Sequence, residues 1–150
     1  MRRKHRRMPV ISSFLKPVLI RSDQLGLKES APGIIVDLSA GGLAMITFVP
    51  IYPGTKLSLN LNLPGLIIKD IVAHVLRVKQ KYKTYMAAIR FDRLNNKARS
   101  KINRMADDYD LCETKLMLGE KKICSRRCSY FPLCSKSIKI DSAKKVKIKR

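Results

Sequence analysis

Hydrophobic and polar residues alternate with a period of two through the middle of this chain. Leu57, Leu59, Leu61 and Leu63 are interleaved with Lys56, Ser58, Asn60 and Asn62, so one face of an extended strand can be buried while the other stays in water. Pro53-Gly54 and Pro64-Gly65 bracket the run, and both are turn-forming dipeptides. Further β-rich runs at 14–21, 33–38, 43–49, 67–78 and 85–91 make six expected strands. Short punctuated connections between them predict a mainly β fold, a small antiparallel barrel or sandwich. The period changes after Phe91. Ala98, Ile102, Met105 and Tyr109 recur at spacings of four, three and four, the apolar stripe of an amphipathic helix. Asn95 or Asn96 is placed to cap it, and Lys97, Arg99, Lys101 and Arg104 fall on its opposite, solvated side. A single helix after all the strands, with no internal repeat, argues against alternating βαβ architecture.

Composition makes a folded body affordable. The 150 residues are 45% hydrophobic and 29% charged, which excludes wholesale disorder and a collagen-like chain. The formal charge is +21, and it is unevenly placed. Residues 1–7 carry +5, residues 8–111 carry +7 and residues 112–150 carry +9. The expected division is therefore a basic arm over 1–8, a barrel plus helix over 9–111, a cysteine-containing extension over 112–136 and a disordered basic tail over 137–150. No run approaches the roughly 20 apolar residues of a membrane-spanning helix, and the start of the chain lacks the apolar segment of a signal peptide. A cytoplasmic location is expected. The only histidines are His5 and His74, outside any recognisable Ser/His/Asp or Cys/His constellation, and there is no phosphate-binding glycine loop. The chain reads as a binding protein and not an enzyme. His5 reads as an exposed spacer and His74 as a surface or barrel-face residue.

Two motifs carry candidate chemistry. Arg3-x-x-x-Arg7 stands immediately before Met8-Pro9-Val10, and Asp37-Leu38-Ser39-Ala40-Gly41-Gly42 lies between two expected strands. Guanidinium forks suit phosphate oxygens and the N7/O6 edge of guanine, and they also stack on purines. Asp37 and Ser39, two apart on an extended segment, project to one face and offer hydrogen bonds to the rest of a base. Singly, each feature also has a plain explanation: a solubilising arm, and a turn whose Asp and Ser bond their own backbone.

Taken together, in this order, the motifs resemble the PilZ domain, a bacterial receptor family for cyclic di-GMP. The resemblance covers about residues 2–110 and extends to Pro53-Gly54-Thr55-Lys56-Leu57, Val75-Leu76-Arg77-Val78 and Ile89-Arg90-Phe91. It implies a six-stranded antiparallel barrel ending in a helix. It also implies that Arg3 and Arg7 fold over cyclic di-GMP, that Asp37 and Ser39 contact guanine, and that Gly42 keeps the turn clear. Arg2 directly precedes the motif, which in similar proteins accompanies an intercalated ligand dimer. The spacing Arg2-x-x-x-Arg6 also fits, but Arg3 and Arg7 place an arginine directly before the apolar strand. Ala88 stands where similar proteins usually have Gly, and Ala73-His74 replaces a common Gly-basic pair, which bears on strand packing more than on the ligand.

Cys112, Cys124, Cys128 and Cys134 all follow the barrel. Four clustered thiols in a reducing compartment are candidate ligands for zinc, or less favourably for an iron–sulfur cluster. Lys121, Lys122, Arg126 and Arg127 would lower the thiol pKa values there. The alternative is that the cysteines pack as small apolar residues beside Tyr130, Phe131 and Leu133. The functional expectation is a cyclic di-GMP receptor whose arm orders on binding and signals to a protein partner. The rival is a nucleic-acid-binding protein with a thiolate metal site, although aromatics are only 6% and Trp is absent. A third is a scaffold at an anionic membrane surface or partner.

Overall fold

The computed structural model describes residues 5–10, 18–22, 31–120, 124 and 127–134. Seven strands form among them: β1 (Met8–Pro9), β2 (Val18–Arg21), β3 (Ala31–Ser39), β4 (Gly42–Thr47), β5 (Lys56–Leu63), β6 (Leu66–Lys81) and β7 (Thr84–Arg93). The helix α1 (Asn96–Met117) follows, then a short 3-10 turn at Phe131–Leu133.

Pairing follows the order β2–β5–β6–β7–β4–β3 and returns from β3 to β2, closing a six-stranded antiparallel barrel. The extra strand β1 pairs with the C-terminal half of β3, Met8 opposite Leu38 and Pro9 opposite Asp37. It is anchored by burial of Met8 and Val10. Of the expected first strand at 14–21, residues 18–21 form β2 and the rest lies outside the described residues.

The alternation of β5 is realised as expected: all four leucines are buried while Lys56, Ser58, Asn60 and Asn62 are wholly or partly exposed. Gly54 and Gly65 turn at positive φ, +85° and +76°, conformations that glycine adopts without steric penalty. The sheet also bends where no pattern announces it. An extra residue, Val36, interrupts the β3–β4 ladder between Ile35 and Asp37. Another break lies between Leu59 and Leu61 opposite β6, where Asp70 takes φ 56° and donates its N–H to Asn60 Oδ1 at 2.8 Å. The side-chain amide replaces the ladder bond lost at the bulge.

Asn95 caps α1, its Oδ1 accepting from the Ala98 N–H at 2.7 Å. The helix buries Ala98, Ile102, Met105 and Ala106 against the barrel core, with Tyr109 packed beside them. It continues two turns beyond this stripe and carries Cys112 within it. Among the described residues, no helix is long and apolar enough to cross a membrane.

Candidate functional site

The Asp37–Gly42 segment ends β3, turns tightly at Ala40-Gly41 and begins β4. Ser39 Oγ accepts from the Gly41 N–H at 3.2 Å and donates to the Gly42 carbonyl at 3.3 Å, so the hydroxyl fastens its own turn. Gly42 has an unexpected basis. A Cβ there would lie 2.0 Å from the Ile89 carbonyl oxygen, because β7 crosses directly opposite, with Gly42 paired to Arg90. No side chain fits that approach, and the glycine is required by its neighbouring strand, not by positive φ.

β1 delivers the arm to this turn. Arg7 directly precedes Met8, and its Nη1 lies 3.7 Å from Asp37 Oδ2. Arg6 turns the other way, toward α1, with Nη1 3.1 Å from Asp110 Oδ2 and 3.4 Å from Asp107 Oδ1. Arg2 and Arg3 lie outside the described residues.

Between arm and barrel is an open cavity of about 360 Å³ whose lining includes Arg7, Ser39, Gly41 and Gly42. Asp37 stands at the rim through its pairing with Arg7. His5 is not the exposed spacer expected from sequence: it lines the cavity, its ring 3.1 Å from where a Gly41 Cβ would sit. Leu76, Arg77, Arg90, Phe91 and Arg99 complete much of the wall. The resemblance noted the segments around Arg77 and Arg90 without giving these residues a role, and Arg99 reads from helical periodicity as solvated. Their convergence depends on strand pairing and helix docking, which one-dimensional spacing does not encode. The arrangement is cationic, concave and backed by glycines, able to take a planar anionic ligand between guanidinium groups.

Among the described residues no three His, Cys, Asp or Glu side chains form a group that could hold a metal ion. The zinc or iron–sulfur site expected of Cys112, Cys124, Cys128 and Cys134 therefore has no such group to support it among the described residues. Cys128 and Cys134 lie against the core on either side of buried Tyr130 and Leu133, while Cys112 belongs to α1. Burial raises the Cys128 thiol above its ordinary pKa and the Asp108 charge adds to this, against the lowering effect of backbone hydrogen bonds with Tyr130 and Phe131. Of the cations expected to lower it, Lys121, Lys122 and Arg126 lie outside the described residues. The segment is held by the Ser129 N–H and Oγ, both donating to Asp108 Oδ2 at 2.8 and 2.7 Å, and by the Tyr130 hydroxyl, which donates to the Pro9 carbonyl at 2.6 Å.

His74 Nδ1 lies 2.7 Å from Asp92 Oδ1 on the half-exposed barrel surface, the strand-face position expected for it.

No curated protein matches the chain in sequence. Among solved structures, it is similar to the Bacillus subtilis inhibitor of motility MotI, with TM-score 0.61 and 17% identity over 75% of this chain and 53% of that one. It is also similar to Escherichia coli YcgR in complex with c-di-GMP, with TM-score 0.56 and 14% identity over 79% of this chain and 50% of that one. The chain thus spans about half the length of either protein. The isolated PilZ domain of YcgR with c-di-GMP is covered completely, at TM-score 0.50 and 13% identity over 81% of this chain. These likenesses establish a shared barrel, and since the PilZ domain model matches residues 1–108, the chain belongs to the PilZ domain family.

Proposed function

We propose that this chain is a cyclic di-GMP receptor, a binding protein without catalysis, in which the arginine arm closes over the nucleotide. The observation that carries this is the meeting of Arg7 with Asp37 at the rim of a cavity lined by Ser39 and Gly42. Arg7 and the Asp37–Gly42 motif, about thirty residues apart in the chain, thus meet at one concave surface in a member of the PilZ family. The Escherichia coli relative with the same barrel is described in complex with c-di-GMP. Arg2 and Arg3 are assigned to the same ligand by their place in the arm.

The Arg7–Asp37 pair is partly exposed and 3.7 Å apart, so a phosphate or guanine edge can compete for either partner at low cost. Ligand would draw Arg7 inward and reorder the arm, and the altered surface would be read by a protein partner. Calorimetry with cyclic di-GMP and with linear RNA at physiological salt tests the proposal. Saturable binding of the cyclic dinucleotide is expected, lost in Arg3→Ala and Arg7→Ala and weakened in Asp37→Ala and Ser39→Ala. Equal affinity in the arginine variants would overturn the site. A steep salt dependence without preference for cyclic di-GMP would favour the nucleic-acid alternative.

A further inference from the structure

Three guanidinium groups around the cavity stand outside both motifs. Arg77 from β6, Arg90 from β7 and Arg99 from the first turns of α1 all line it. Arg90 is opposite Gly42 in the β4–β7 ladder. Arg77 pairs with Ala88, two residues from Arg90 on β7, which makes Arg77 and Arg90 diagonal neighbours on one face. Like charges so placed repel, and among the described residues no carboxylate or hydrogen-bonding group partners any of the three side chains. No Asp or Glu lines the cavity either.

The two sides of the cavity therefore differ. On the arm side Arg7 already has Asp37 at 3.7 Å. On the barrel side three cations converge without compensation, and a concave wall of one sign concentrates anions. A cyclic dinucleotide carries two phosphodiester groups on opposite sides of its ring, and one arm reaches one of them. Arg99 is separated from ordinary helix-surface cations by position, since Lys97, Lys101 and Arg104 on the same helix do not line the cavity.

We infer that Arg77, Arg90 and Arg99 form a second anion-binding wall, holding the phosphodiester that the arginine arm does not. The inference rests on the cyclic di-GMP reading above and extends it to side chains that neither motif includes. Calorimetry with cyclic di-GMP on the full chain compares Arg77→Gln, Arg90→Gln and Arg99→Gln with Lys101→Gln, a charge-matched change on the same helix outside the cavity. Each wall variant is expected to weaken binding by about tenfold, the scale of one charge-assisted hydrogen bond, and to flatten the dependence of affinity on salt. Lys101→Gln should bind as the unmodified protein does. All four side chains are exposed, so melting temperatures should stay together and separate a binding effect from a folding one. Wall variants that match Lys101→Gln, while the unmodified protein binds tightly and Arg7→Ala does not, would overturn this inference alone. Failure of the unmodified protein to bind cyclic di-GMP would overturn the receptor assignment and this inference together.

Discussion

The N-terminal arm and the C-terminal cysteine segment both fold back onto the barrel, and they are held by different physics. Ahead of β1, the described part of the arm is held by charge: Arg6 to Asp107 and Asp110, and Arg7 to Asp37, with all these side chains at least a quarter exposed. The cysteine segment is held by burial. Tyr130 and Leu133 are 4% and 2% exposed within the core, and the Tyr130 ring lies 4.9 Å from that of Tyr109. Exposed ion pairs each contribute at most about 1 kcal/mol, whereas a buried leucine side chain contributes several times more. An anionic ligand can therefore displace the first set of contacts without disturbing the second. On the proposed reading, ligand-responsive movement would belong to the arm, while the segment would stay docked.

The largest test of that difference is Leu133→Ala. Removing a fully buried side chain should cost roughly 2–5 kcal/mol in chemical denaturation, and a loss near zero would mean that the segment is not docked. Gly65→Ala comes next. The added Cβ would lie 2.8 Å from Pro132 Cγ at a position with φ +76°, so strain and displacement of Pro132 together should destabilise by about 1–3 kcal/mol.

Tyr130→Phe should cost about 1 kcal/mol by leaving the Pro9 carbonyl without its donor, and it adds a pH signature. Burial raises the Tyr130 hydroxyl above its ordinary pKa, with nearby Cys134 and Tyr109 adding to the shift. The folded state therefore keeps a proton that the unfolded chain releases. Stability from this group is complete below about pH 10, the ordinary tyrosine value, and declines as pH rises further. Thermal melts between pH 8 and pH 11 should show that decline in the unmodified protein and a shallower one in Tyr130→Phe; parallel curves would remove Tyr130 as its source. The smallest effect is expected of Arg6→Ala, below about 1 kcal/mol and fading as salt rises. A larger, salt-independent loss would show that the arm is held by more than charge.

The same contrast decides how much was legible in the sequence. The barrel strands could be read because each is buried on one face, so Leu57 to Leu63 display their geometry as alternation. The helix cap was legible because few side chains reach a free N–H, although only the structure selects Asn95 over Asn96. The family motifs were legible as a resemblance, and the structure brings Arg7, Asp37, Ser39 and Gly42 to one turn and its rim. The bulges at Val36 and Asp70 leave no periodic trace, because one inserted residue breaks the period that would reveal it. The cysteines were ambiguous for a chemical reason: a thiol is both a metal ligand and a small apolar group, and spacing does not say which property is used. The acidic end of α1 sends no periodic signal beside its basic face. Asp107 and Asp110 meet the arm there, while Asp108 receives Ser129.

The bond from the Tyr130 hydroxyl to the Pro9 carbonyl joins groups 121 positions apart. A ribosome makes Pro9 before the whole barrel and Tyr130 after it, so β1 stays without that donor until the barrel strands have been made. Closing a contact of such long sequence separation costs chain entropy, although that cost grows only slowly with length. The strand that presents the arginine arm can thus pair with β3 before the segment that fastens its carbonyl has been made.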